Sequence, residues 1–147
     1  AMARLSPANL PAVIVPNPQG LKDVVLGAWL SVDPSAPLPP ESRGTAANIA
    51  EVIGRLLPAT HKDHLRGAMG RVLEAGFEPA RWLRGVEFTC TRAGLLMADS
   101  LDVAARTISV GTGELGGVPA TDLVKDLVSY SVSAQYLRLR RELKQAR

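Results

Sequence analysis

Apolar residues recur at three- and four-residue spacing along most of the chain, the pattern of helices that bury one face. Leu21, Val24, Val25, Ala28 and Trp29 keep that spacing and predict a helix over 20–31. Ala46, Ile49, Ala50, Ile53 and Leu57 form the face of a second, closed by Pro58, whose ring cannot continue it. Thr60 stands where an N-cap would open a third, with Asp63 three residues on and favourable to the helix dipole. Its inward face is Leu65, Ala68, Met69, Val72 and Leu73, and Gly76 supplies the stop. Glu78-Pro79 opens a longer fourth helix, with proline in the first turn and Trp82, Leu83, Val86, Thr89, Cys90, Ala93, Leu96 and Met97 along its buried side. Asp99 or Ser100 caps a fifth, with Leu101, Ala104, Ala105 and Ile108 inward. A sixth covers 119–130 with Leu123, Leu127 and Val128 inward, and a last one, 132–145, turns Val132, Tyr136, Leu139 and Leu143 to the core.

The remaining segments lack the helical period. Ala12-Val13-Ile14-Val15 is a short, β-branched run between Pro11 and Pro16 and reads as one strand; Pro16-Asn17-Pro18-Gln19-Gly20 then reads as a turn. Residues 33–44 hold Pro34, Pro37, Pro39 and Pro40, which predict a mobile surface loop that no helix crosses. Gly111 to Gly117 is a second, glycine-rich loop. No repeat with a period of roughly 30–50 residues is present, so a solenoid is not supported within the segment. The expectation is a mainly α fold: a compact bundle of six to seven helices with at most one short N-terminal strand, forming a single domain over 1–147. An alanine before Met2 marks residues 1–4 as a leftover tail and suggests a piece of a longer protein.

Composition sharpens this picture. Of 147 residues, 46% are apolar but only 4% are aromatic, so the core must be built from Leu, Val, Ile and Ala. The net charge of +3 suggests a nucleic-acid binder until the charges are placed. Arg138, Arg140, Arg141, Lys144 and Arg147 stand against Glu142 alone in the last ten residues, a net +4, whereas residues 1–137 carry 12 positive and 13 negative side chains. The basicity is therefore a property of the last helix. A single cysteine, Cys90, excludes an internal disulfide framework and fits a reducing, cytoplasmic setting. No apolar run reaches the roughly 18–20 residues of a membrane span.

Candidate chemistry is sparse. Gly111-x-Gly113-x-x-Gly116 has the letters of a dinucleotide loop but no βαβ unit around it, and reads as an inter-helix connection. His61-x-x-His64 is the only histidine pair; it lacks the i, i+4 spacing and the intervening Glu of a zinc helix, and reads as solvated. Cys90 lies at helical spacing with Val86, Ala93 and Met97 and reads as a small buried hydrophobe. The basic helix could contact phosphates, but Arg138, Arg141 and Glu142 also suit a solvated face, and no base-stacking aromatics accompany them. Glu87 is the most informative residue: a carboxylate beside the inward Val86 requires a partner, and Arg84 or Arg92 could supply it.

The stretch Glu87-x-x-Cys90-Thr91-Arg92-Ala93-Gly94 resembles the third-ligand helix of gluzincin metallopeptidases of the CAAX-protease and HtpX type, whose pattern is E-x-x-A-D-R-x-G. Glu87, Arg92 and Gly94 match, and Glu87 falls on the zinc-ligand position; Cys90-Thr91 replaces Ala-Asp. The order of features also resembles a module at the C-terminus of large bacterial tetratricopeptide-repeat proteins, on Ala12–Pro18, Gly20–Ser31, Arg81–Leu96 and Ser131–Leu143. The resemblance places the H-E-x-x-H helix at Leu21–Trp29, which holds neither His nor Glu. It therefore implies a metallopeptidase-like scaffold without its zinc site.

The expected function is a non-catalytic protein-interaction or scaffold module within a larger repeat protein, with no catalytic, cofactor or metal residues. Its expected partner surfaces are the proline loop 33–44, the glycine loop 111–117 and above all the basic last helix with Arg138, Arg140, Arg141 and Lys144, while Glu87, Arg92 and Gly94 form a vestigial motif. The partner is a protein rather than nucleic acid or a membrane. Two other readings stay open: a residual metal-dependent hydrolase using Glu87 with His61 and His64, and a nucleic-acid binder using the basic helix.

Overall fold

The computed structural model describes residues 6–110 and 117–145, and these form eight α-helices and no strand. In order they are α1 Leu10–Ile14, α2 Pro18–Val32, α3 Pro40–Leu56, α4 Ala59–Glu74, α5 Pro79–Ala98, α6 Leu101–Val110, α7 Ala120–Ser131 and α8 Ala134–Gln145. The chain divides into two compact units, residues 17–79 and residues 1–16 with 80–147. The mainly α expectation holds, with more helices than the six to seven foreseen. The glycine-rich loop at 111–116, the tail at 1–4 and Arg147 lie outside the described residues.

Four local expectations fail, each beside a proline. The run at 12–15 is no strand: Leu10–Ile14 is a helical turn, with Pro11 near its start and Val15 N–H donating to the Pro11 carbonyl at 2.9 Å. Proline in the first turn forfeits no helical bond, and among the described residues there is no second strand for a β-branched run to pair with. Pro16 to Gly20 does not form a free turn either. Asn17 is the N-cap of α2, accepting the Gly20 N–H on its side chain at 2.6 Å, with Pro18 opening the helix. Pro40, expected to block a helix, begins α3, so the loop is 33–39 rather than 33–44. Likewise, α4 starts after Pro58, and Thr60 sits inside the helix rather than capping it.

In the unit 17–79, α2 packs along α3 and on α4. The loop 33–39 is not a mobile surface strap but part of this core: Ala36 is fully buried and Leu38 nearly so, packed with Ala46, Leu26, Trp29 and Leu30. Asp33 shapes it, accepting both the Ser35 hydroxyl at 2.6 Å and the Ser35 N–H at 3.0 Å. The Ser35 hydroxyl is the main reason that the Asp33 carboxyl lies below its ordinary value, followed by the Ser35 N–H. Arg66 of α4 donates to the Val32 carbonyl at the end of α2 and to Asp63 on its own helix. The stop after α4 is a Schellman turn. Gly76 takes φ +61°, its N–H reaching the Leu73 carbonyl at 3.0 Å and the Phe77 N–H reaching Val72 at 3.3 Å.

In the other unit, Leu95 of α5, Ala104 of α6, and Leu127 and Tyr130 of α7 form the buried cluster, flanked by Leu101, Ile108 and Tyr136. Ser100 caps α6, its hydroxyl accepting from Val103 N–H at 3.3 Å. Several residues expected inward face water: Thr89, Met97, Val128 and Leu143 are exposed, and so is Val132, which ends α7 rather than opening α8.

The contact between α2 and α3 is sterically closed at one point. A β-carbon on Gly27 would stand 2.5 Å from Ile49 Cγ2 and 3.1 Å from the Ala46 carbonyl oxygen. Gly27→Ala should therefore cost about 1–3 kcal/mol in urea unfolding, the usual penalty of overpacking. Gly54→Ala, where a β-carbon meets nothing within 4 Å, should instead gain about 0.5–1 kcal/mol from helix propensity. Equal effects at the two positions would show that the α2–α3 contact is looser than described.

Candidate interaction surface

The residues expected to form a partner surface do not behave alike. Helix α8 carries all four, but they point to different environments. Arg138, Arg141 and Lys144 are exposed, Arg138 with 73% of its side chain accessible and Glu142 as its nearest counter-charge at 3.8 Å. Arg140 is only 14% accessible and belongs to the packing rather than to the surface. Its Nη1 donates to the Leu96 carbonyl at 3.1 Å, and its guanidinium is paired with Asp99.

The cause lies at the end of α5. The last four carbonyls of a helix have no partner within it. Asp99, the residue after this end, adopts φ +56°, and its N–H satisfies the Leu95 carbonyl at 3.1 Å. Arg140 supplies the next donor, to Leu96, and brings a positive charge to the negative end of the helix dipole. A charge-assisted bond of this kind is worth roughly 1.5–3 kcal/mol when protected from water. Arg140 is thus a cap delivered from a distant helix. The signal was present in the sequence: Arg140 follows the inward Tyr136 by four residues, which puts both on one side of α8.

What remains on the outer side of α8 is a mixed stripe. Leu137, 48% exposed, stands four residues before Arg141 and seven before Lys144, so the three share a face, with Arg138 beside them. One half-exposed leucine thus stands among three exposed cations, with Glu142 as the counter-charge beside Arg138.

Of the vestigial motif, Arg92 has a structural explanation and Glu87 has a buried place. Arg92 closes on Asp126 of α7 through two bonds, Nε at 2.9 Å and Nη2 at 2.5 Å, and its guanidinium lies 5.1 Å from the centre of the Tyr130 ring. The bond to Asp126 is the main reason that Arg92 holds its proton more tightly than usual. Tyr130 meets Tyr136 edge to face at 5.5 Å, so one chain of contacts runs from α5 through α7 to α8. Glu87 is 4% exposed and is not without a partner; Arg84, one of the two candidates, is exposed. Gly94 is unexplained by packing, since a β-carbon there would meet nothing within 4 Å.

The zinc chemistry of the resemblance finds no support in the donor set. Among the described residues, no group of three or more His, Cys, Asp or Glu is placed to hold a metal. His61 and His64 are both exposed on α4, their rings edge to face at 6.3 Å, with the Thr60 hydroxyl 3.3 Å from His61 Nδ1. They belong to the unit 17–79, while Glu87 belongs to the other. In α2, where the resemblance calls for H-E-x-x-H, the only carboxylate is Asp23, which accepts a bond from Gln19. Cys90 is half-buried rather than buried.

Asp126 and Asp99, both outside every expected site, tie helices together in this unit. In a double-mutant cycle of Arg92→Lys and Asp126→Asn, read by urea unfolding, the pair should couple by about 1–2 kcal/mol, above a solvated surface pair because Asp126 is mostly shielded. Lysine should not rescue, because it keeps the charge but loses the paired bonds. Coupling below about 0.3 kcal/mol would make the contact an ordinary surface one. No family model, curated protein or solved structure matches the chain.

Proposed function

We propose that the chain is a non-catalytic protein-interaction module, part of a larger cytoplasmic scaffold protein, whose binding surface is the outer side of α8. The observation that carries this reading is the exposed stripe of Leu137, Arg138, Arg141 and Lys144. It sets three cations against Glu142 alone, on a body that is otherwise close to neutral. Arg140 is left out of the surface, since its charge is already answered by Asp99. Of the three residues that carry the metallopeptidase resemblance, Arg92 ties α5 to α7, Glu87 is buried and Gly94 is exposed with open space around it, so the proposed function needs no metal.

The class of partner follows from the chemistry of the stripe. Exposed cations favour acidic groups and speed their encounter, while Leu137 offers the apolar contact that a bare phosphate backbone would not use. A single-stranded nucleic acid would look for aromatic faces to stack on, but Tyr130 is buried and Tyr136 is packed against the core cluster. Among the described residues, no helix is long and apolar enough to cross a membrane.

Fluorescence anisotropy with labelled poly-L-glutamate tests the surface. The parent chain should bind with an affinity that falls as salt rises. The combined change Arg138→Glu, Arg141→Glu and Lys144→Glu should weaken binding at least about 10-fold, as expected if each cation contributes about 0.5 kcal/mol or more. It should also flatten the salt dependence. Unchanged affinity in the triple variant would remove α8 from the interface. Tighter binding to a mixed-sequence duplex than to poly-L-glutamate would replace the protein partner with a nucleic acid.

A further inference from the structure

Helix α8 is held differently from the helices it touches. None of its described side chains is buried, whereas α5 buries four residues and α7 three. Two attachments account for its place. Tyr136 packs against the buried cluster of the unit and meets the Tyr130 ring edge to face. One turn further on, Arg140 reaches the Leu96 carbonyl and the Asp99 carboxylate at the end of α5. Between α7 and α8 there is only the bend at Val132 and Ser133, where the Ser133 hydroxyl accepts the Tyr136 N–H at 3.1 Å.

We propose that α8 is a releasable strap, pinned by Arg140 to the end of α5 and freed as one unit when that pin is broken. With Tyr136 and Leu139 only half-buried and its other described apolar side chains exposed, α8 draws less from the hydrophobic effect than α5 or α7, so the Arg140 contacts carry much of its hold. The pin is exposed to challenge from one side, because Asp99 is 60% accessible and another anion or cation can compete for either partner. At 12 residues, α8 is too short to stay helical once detached, so release and melting are the same event. Release withdraws Tyr136 from the core cluster and dissolves the face on which Leu137, Arg141 and Lys144 align. The strap therefore regulates the surface assigned above, and this consequence, though not the release itself, rests on that reading.

Hydrogen exchange by mass spectrometry on the full chain tests the strap without any ligand, so its outcome is independent of whether poly-L-glutamate binds. Amides 138–145 should exchange at least about 10-fold faster than amides 124–131 of α7, as a separate low-stability unit does. Arg140→Gln should speed α8 by about a further 10-fold, the effect of losing roughly 1.4 kcal/mol, and leave α3 and α4 unchanged. Asp99→Asn breaks the pair from the opposite side with a residue that tolerates positive φ, and should speed α8 by about 3-fold through the same local opening. The strap is overturned if α8 exchanges together with α7, if either variant leaves α8 unchanged, or if the acceleration spreads equally over α5, α7 and α8.

Discussion

Few large apolar side chains are completely buried, and the rest of the structure answers to that. Among the described residues, Leu95 and Leu127 are the large side chains removed almost completely from water, and much of the remaining core is alanine and valine. Full burial of a leucine contributes roughly 1.5–3 kcal/mol, so a core this thin leaves individual helices weakly held unless something else joins them. Two devices fill the gap. In the unit 17–79, the helices approach closely enough that Gly27 has no room for a β-carbon against Ile49. In the other unit, guanidinium groups tie the helices across their ends and sides: Arg92 to Asp126 between α5 and α7, and Arg140 to Asp99 between α8 and the end of α5.

These ties change the meaning of the chain's basic character. Arginine is used here as a structural reagent as well as a surface charge, because its planar fork can satisfy a carboxylate or a helix-end carbonyl while its stem packs on apolar neighbours. Arg92 lies over Tyr130 while bonded to Asp126, and Arg140 caps Leu96 while paired with Asp99. Counting cations along the last helix therefore overstates what is available to a partner. Three of the four assigned residues face outward, and the fourth keeps the helix in place.

Most helices and their inward faces were legible from spacing alone, because Leu21, Ala46, Met69, Leu83, Ala104, Leu123 and Leu127 fall where a 3.6-residue period puts them. Proline was read too simply. At Pro11, Pro18 and Pro40 it opens helices instead of preventing them, and the β-branched run Val13-Ile14-Val15 lies at the end of a helical turn, with no strand among the described residues to join. The buried Ala36 and Leu38 show that a proline-rich segment with apolar residues between its rings can be core rather than loop. The site was less legible, for a physical reason. Arg92 meets Asp126 across 34 residues and Arg140 meets Leu96 across 44, distances at which spacing carries no signal. Only the i, i+4 relation of Tyr136 and Arg140 marked the inward arginine.

The functional account depends on the outer side of α8 being the place where an acidic polypeptide lands. Residue-resolved chemical-shift mapping during titration with poly-L-glutamate addresses that most directly. The account predicts perturbations centred on Leu137, Arg138, Arg141 and Lys144, with the Arg140 guanidinium still bonded to Asp99 and no change around His61 and His64. Perturbations centred on α4 or on Glu87, or none at all at low salt, would contradict it.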